Sequence, residues 1–211
     1  MEKLVLIGAG GYAKSVLDSI DMYNYEMVGF IDEFSTKKKH LGYPILSNNL
    51  DNFPNSEKYV YFIAVGNNKN RKVWFDRLID RNLRIINVVD KSAIISPRAE
   101  IGTGCFVGKM AIINSMAVVG NDCVINTKAL IEHGCHIGNH VNLSTNTVLN
   151  GDVVIGDGSF IGSSSVTIGQ LHIGTWSTVG AGAVVIRPVS DNITVAGVPA
   201  KIIKKEGGML G

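Results

Sequence analysis

The chain has 211 residues, enough for one large domain or two small ones, and its 45% hydrophobic and 18% charged residues make a globular composition rather than a disordered one. A net charge of +2 gives no reason to expect nucleic acid or a membrane surface as partner. No apolar run approaches the roughly 20 residues that span a bilayer, the first strand is too short for a signal peptide, and the three cysteines show no CxxC spacing, so a reduced, cytoplasmic protein is expected.

In chain order, residues 3–7 (KLVLI) read as a strand followed by a glycine turn and a helix. Residues 26–33 (EMVGFIDE) read as a second strand with acids at its end, and 59–68 (YVYFIAVGNN) as a third with a Gly-Asn turn. A helix is expected over 71–81 and a fourth strand over 84–89, with 90–97 (DKSAIISP) as the join to the C-terminal half. Strands alternating with helices imply a small parallel α/β sheet, a Rossmann-like domain over residues 1–90. The turn Gly8-Ala9-Gly10-Gly11-Tyr12-Ala13 fits G-x-G-x-x-G/A between strand and helix. There glycine admits a phosphate close to the backbone, and the helix N-terminus attracts its charge. Asp32 ends the next strand, at the right remove for a ribose hydroxyl. The motif points to a nucleotide-bearing ligand without separating NAD from a nucleotide sugar. A domain about half the size of a full dinucleotide fold favours the smaller ligand.

Residues 91–211 have another rhythm. Stepping by six from Ile95 gives Ile101, Val107, Ile113, Val119, Ile125, Ile131, Ile137, Leu143, Leu149, Ile155, Ile161, Thr167, Ile173, Val179 and Val185, with only Thr167 breaking the aliphatic series. Four residues after each comes a mostly small one. A period of six matches neither helix nor hairpin array and predicts a triangular parallel β-helix. Each hexapeptide makes one short strand and one corner, so residues eighteen apart stack at about 4.8 Å. Cys105, Cys123 and Cys135 all fall on the small interior position and are expected in the core.

Three of the five histidines, His133, His136 and His140, cluster in IEHGCHIGNH. On a coil they occupy different strand and corner positions, so no metal site is expected. His133 lies two residues past Ile131, near a corner and facing out, with Gly151 stacked one coil above it. A histidine beside a glycine can place a base next to a backbone N–H that stabilises an oxyanion.

GAGGYAKSV, FIDE, AVGNNKNR, INTKALIEHGC, SFIGSSSV, GAGAVV and AGVPAK together make the whole chain resemble the sialic-acid O-acetyltransferase (NeuD-type) family of bacterial sugar acetyltransferases. That family includes N-acetyltransferases acting on UDP-4-amino-4,6-dideoxy sugars. The resemblance implies a left-handed coil and acetyl-CoA as co-substrate without a metal. It also implies a nucleotide-activated amino sugar as acceptor in bacterial surface-glycan biosynthesis, and a homotrimer with its active site between solenoids. It implies that His133 is the general base, Gly151 the glycine whose N–H lies near the thioester, and Asn126 a residue close to the base. By the same likeness Gly10, Gly11 and Tyr12 hold the nucleotide sugar, and Asp32, Glu33, Gly66, Asn67, Asn68 and Arg71 line its pocket. Ser163 and Ala181 lie where coenzyme A runs along the solenoid, Asn142 stands at an acetyl-CoA contact, and Lys201, Lys204 and Lys205 face its phosphates. The chain departs from the family at three positions. Gly134 stands where an Asp or Glu commonly follows the catalytic histidine, Asn142 where a second histidine contacts acetyl-CoA, and Tyr12 where the nucleotide loop has a histidine. Glu132 and Asp152 are the candidates to replace the acid.

The other readings are a sugar O-acetyltransferase, a non-catalytic sugar-nucleotide-binding scaffold and an NAD-dependent oxidoreductase. A hydroxyl is the poorer nucleophile and should need its base more, so Gly134 favours the amine. The oxidoreductase leaves the solenoid, more than half of the chain, unexplained.

Overall fold

A computed structural model describes residues 1–205. The first part is built on β1 (Glu2–Ile7), α1 (Tyr12–Leu17), β2 (Tyr25–Ile31), β3 (Lys39–His40), β4 (Tyr43–Ser47), β5 (Val60–Ile63), α2 (Asn68–Asp80) and β6 (Arg84–Ile85). Its sheet runs β3-β4-β2-β1-β5-β6 and is parallel except for the β3–β4 hairpin. Leu4 to Ile7 at its centre are fully buried, because a parallel strand covered on both faces needs an unbroken apolar run. The hairpin was not expected from the sequence. It turns through Leu41 and Gly42, both with positive φ, as a tight two-residue turn requires.

The expected fourth strand over 84–89 is split. Arg84–Ile85 ends the sheet, while Val88–Val89 pairs with Phe106–Val107 and opens the solenoid. The changeover therefore falls a few residues before the expected boundary at 90.

The second part is the left-handed parallel β-helix. Two-residue strands stack in three parallel sheets with partners eighteen residues apart. We call these face 1 (Val88–Val89, Phe106–Val107 and those above), face 2 (Ile94–Ile95, Ile112–Ile113 and above) and face 3 (Glu100–Ile101, Val118–Val119 and above). From Gly104 to Gly182 the third residue of every corner has positive φ, including Met110, Asp122, Lys128, His140 and Asp152. That left-handed step turns the chain by a side of the triangle, and non-glycine residues adopt it because the neighbouring coils hold it in place. The second residue of each strand points inward, so Ile113, Ile125, Ile131, Leu143, Leu149 and Ile161 are fully buried. Each such side chain contributes about 1.5–3 kcal/mol by leaving water. All three cysteines are interior, and the Cys123 N–H points at Cys105 Sγ at 3.5 Å. Thr167, the break in the aliphatic series, is also buried, and its hydroxyl has no partner among the described residues. The stack ends where Ile193–Ala196 pairs with Thr178–Val179 and Lys201–Lys205 folds back antiparallel.

The two parts share a core. Val88, Phe106 and Val124 on the outside of face 1 pack with Ala13, Val16 and Leu6 of the first part. Ser19 Oγ donates to Asp90 Oδ2 at 2.7 Å. Burial would push the Asp90 carboxyl up, but hydrogen bonds from Ser19 and Ser92 and the Lys109 charge hold it below the usual carboxylate range. Deeper in the seam, Asp122 is fully buried with Arg71 Nε at 3.3 Å and His140 Nδ1 at 2.8 Å. Burial pushes the Asp122 carboxyl up, opposed by the His140 hydrogen bond and the Arg71 charge.

Candidate functional site

A cavity of about 520 Å³ opens at the ends of β1, β2 and β5. Gly8, Gly10, Gly11, Tyr12, Asp32, Glu33 and Gly66 line it, which brings together most of the residues expected around a nucleotide. A side chain built on Gly10 or Gly11 would meet nothing within 4 Å, so the loop leaves open backbone facing the cavity. Asp32 buttresses this loop, since its Oδ2 accepts the Ala9 N–H at 2.6 Å and its Oδ1 that of Phe34 at 2.9 Å. Glu33 pairs with Arg77 at 2.8 Å. The Tyr12 ring meets Phe106 of the solenoid edge-on, burial pushes its hydroxyl pKa up, and that hydroxyl has no partner among the described residues.

Two residues expected here go elsewhere. Asn68 and Arg71 lie three apart on one face of α2, and that face packs on the solenoid. Arg71 is 1% exposed and donates to the backbone carbonyls of Asp122 and His140, while Asn68 Nδ2 donates to Gly158 O and Ser159 O. They hold the two parts together and neither lines this cavity, although Asn68 lines a neighbouring cleft at the seam. The cavity wall comes instead from Asn70, Val73, Trp74 and Arg77, one turn of helix around, with the Arg77 guanidinium over the Trp74 ring at 4.1 Å. Helical periodicity carried that signal once one face of α2 is known to be covered. Asn67 caps the helix, its Oδ1 accepting the Asn70 N–H at 3.0 Å. It borders a second cleft of about 420 Å³ that shares Gly66 with the first and runs to Phe160, Trp176 and Thr178. The sequence reading passed over these three residues.

His133 stands exposed on the corner between faces 2 and 3. Its imidazole lies against Gly151 of the next coil, where a Cβ would come 2.5 Å from its Cε1, 2.8 Å from Nε2 and 3.2 Å from Nδ1. Only glycine leaves room for the ring. The Gly151 N–H has no acceptor among the described residues. On the next corner the equivalent N–H groups of Thr103, Asn121 and Asn139 are capped by the side chains stacked above them, Asn121, Asn139 and Asp157, at 2.7–2.9 Å. Above Gly151 stands Gly169, which has no side chain to offer, so a donor is left bare beside an imidazole. Glu132 is occupied locally, accepting the His133 backbone N–H at 3.3 Å.

The other expected residues are dispersed. Asn126 lies on the corner between faces 1 and 2, where its Oδ1 accepts the Thr127 N–H, and it does not touch His133. Ser163 and Ala181 stack eighteen apart on that same corner, Ser163 Oγ lying 3.0 Å from Ser144 Oγ. Asn142 is the outward residue of a face 1 strand, the face the first part covers. It is 8% exposed in the seam, its Oδ1 without a partner among the described residues. Its side chain is therefore turned into the seam between the two parts. Lys201 and Lys204 are exposed on the last strand. His136 is exposed and His140 buried in the seam, and among the described residues no three His, Cys, Asp or Glu side chains are grouped to hold a metal ion.

Residues 3–78 match the PglD N-terminal domain family. Over 96% of the chain and all of the other molecule, the fold superposes on the acetyltransferase domain of PglB from Neisseria gonorrhoeae with a TM-score of 0.92 and 30% identity. It also superposes on a histidine-to-asparagine mutant of perosamine N-acetyltransferase from Caulobacter crescentus, solved with CoA and GDP-perosamine. There the TM-score is 0.89 and the identity 30%, over 96% of this chain and 97% of that one. A curated relative, an uncharacterised protein of Acanthamoeba polyphaga mimivirus, is 32% identical over 103 residues, and the match spans 49% of this chain but only a fifth (20%) of that protein. Likeness at this level across both parts of the chain places it in the family of hexapeptide-repeat nucleotide-sugar acetyltransferases.

Proposed function

We propose that the protein transfers the acetyl group of acetyl-CoA to the amine of a nucleotide-activated sugar, an N-acetylation in glycan biosynthesis, and that it works in the cytoplasm. The observation that carries the reading is the pairing of an exposed imidazole with a bare backbone N–H on adjacent coils. The nucleotide rests in the cavity beside the Gly10–Gly11 loop, and the sugar follows the cleft that begins at Gly66. The amine nitrogen attacks the thioester carbon and His133 takes its proton. The oxyanion forms against the Gly151 N–H, then the C–S bond breaks and CoA leaves as a thiolate that is protonated to the thiol. Among the described residues no helix is long and apolar enough to cross a membrane.

The working unit is a homotrimer. The outward residues of face 2 are Ile94, Ile112, Leu130, Val148, Val166 and Val184, a column of half-buried to exposed aliphatic side chains that no other element among the described residues covers. An apolar column of that length is the mark of an interface. It separates the corner bearing His133 from the corner bearing Asn126, Ser163 and Ala181, roughly 15 Å apart at about 3.3 Å per extended residue. Packing the column against a neighbouring copy brings the base of one subunit to the coenzyme residues of the next.

The test is thiol release from acetyl-CoA over a panel of UDP- and GDP-linked amino sugars and free sialic acid, wild type beside His133→Ala. Turnover with an amino sugar, lowered about 10²–10⁴-fold in the mutant, is expected. Turnover confined to sialic acid would move the reaction to a hydroxyl, and no turnover with bound acetyl-CoA would leave a binding scaffold.

A further inference from the structure

Gly66 lines the nucleotide cavity just before α2 begins, and Arg77 lines it from the third turn of that helix. From Asn70 to Arg77 is seven residues, about 10 Å along the axis at 1.5 Å per residue. Asp32 bridges the glycine loop and the outer wall, since it accepts the Ala9 N–H on one side and the Phe34 N–H on the other. A nucleotide with its phosphates on the loop and its ribose at Asp32 therefore puts its base beside Glu33 and Arg77. Phe34 and Val73, both largely exposed, offer apolar surface to the flat of a ring there.

Among the described residues that line the cavity, Arg77 is the one cation. It is not poised for a phosphate, because the Glu33 carboxylate pairs with it at 2.8 Å, offsets its charge and would repel an anion. The Trp74 ring, itself 7% exposed, lies under the guanidinium at 4.1 Å and fixes its plane. Both charged side chains keep about a third of their surface open, 27% for Arg77 and 32% for Glu33. Glu33 Oε2 has no partner among the described residues, and the guanidinium has N–H groups to spare. The wall thus presents an acceptor beside a donor, both held in place before any ligand arrives.

Nucleobases divide by what their edge offers such a pair. Uracil, thymine and guanine carry a ring N–H next to a C=O. Cytosine and adenine carry a bare ring nitrogen next to an amino group. Glu33 adjoins Asp32 on the ribose side, so it meets the ring nitrogen, and Arg77 meets the exocyclic group beyond. The first set donates its N–H to Glu33 and accepts from Arg77. The second sets a lone pair against the carboxylate and an amino group against the guanidinium, which leaves all four groups unpaired.

We infer that the Glu33–Arg77 pair reads the edge of the nucleobase and restricts the acceptor to sugars carried on uridine, thymidine or guanosine diphosphate, against cytidine and adenosine. The inference rests on the cavity holding the nucleotide as proposed above.

Calorimetry on the full chain with UDP against CDP, and GDP against ADP, tests this without turnover. Each comparison holds ring size and phosphates constant and changes the edge. In whichever comparison binds, the base with C=O beside N–H should bind about tenfold tighter or more, since one bidentate edge contact discriminates by roughly 5–150-fold. Glu33→Gln replaces the carboxylate by an amide that can donate as well as accept. It should bring the ratio to within about threefold, with the thermal melt unchanged because the side chain is partly exposed. Arg77→Met, which keeps an apolar stem against Trp74, should narrow the ratio too. A pair that only braced the wall would leave the ratio as it is in both variants. Equal affinity within both comparisons, a preference for CDP or ADP, or a wild-type ratio in Glu33→Gln would each overturn the inference and leave the nucleotide in its cavity. Failure of all four diphosphates to bind would overturn the nucleotide reading of the cavity itself, and this inference with it.

Discussion

Gly151→Ala is the smallest change that addresses the site. Gly151 has no positive φ, so alanine suits its backbone. The Cβ would arrive 2.5 Å from His133 Cε1, about 1 Å inside the ~3.5 Å at which carbon atoms make contact. The ring is at the surface and free to withdraw, so stability should change by no more than about 0.5 kcal/mol. Catalysis has no such freedom. Moving a reacting group by about 1 Å can cost roughly 10²-fold, which is about 2.7 kcal/mol of barrier. The substitution keeps the N–H, so a loss is assigned to the displaced base and not to the oxyanion donor. Single-turnover thiol release at saturating acetyl-CoA and amino sugar reads kcat directly, with a melt as control. A kcat within about threefold of wild type would refute the idea that the imidazole must lie against this glycine to work.

Asp122→Ala leaves the Arg71 guanidinium buried without its carboxylate, and breaking a buried pair from one side costs about 3–5 kcal/mol. The melt should fall by several degrees, and proteolysis should begin to separate the two parts. An unchanged melt would show that the seam is held by its apolar contacts alone. Val148→Lys puts a charge at the middle of the face 2 column. Light scattering should then report monomer where wild type is a trimer, with thiol release lost together with assembly, whereas a wild-type monomer would end the intersubunit reading.

Much of this architecture is written locally. Residues at 131, 149 and 155 must be aliphatic because one axis buries them all, and a period of six is visible without knowing what packs on the outside. The glycine loop of residues 8–13 is legible as a motif, and the stacking of His133 on Gly151 comes from simple arithmetic, since coils of eighteen place them one above the other. The sequence misled where the deciding partner lies far along the chain. Arg71 looks like a pocket residue until the solenoid is docked on α2, and Asn68 proves to line the cleft at the seam and not the nucleotide cavity. Their partners are 51 to 91 residues away, and a helix does not announce which face a second domain will cover. Residues 84–89 read as one strand because both halves are apolar, and only pairing assigned the first half to the sheet and the second to the coil. The acid missing at Gly134 was legible as an absence. Asp152 stacks over Gly134 by the same count of eighteen, but that its side chain leans over Gly134 was decided only by the packing of the two coils.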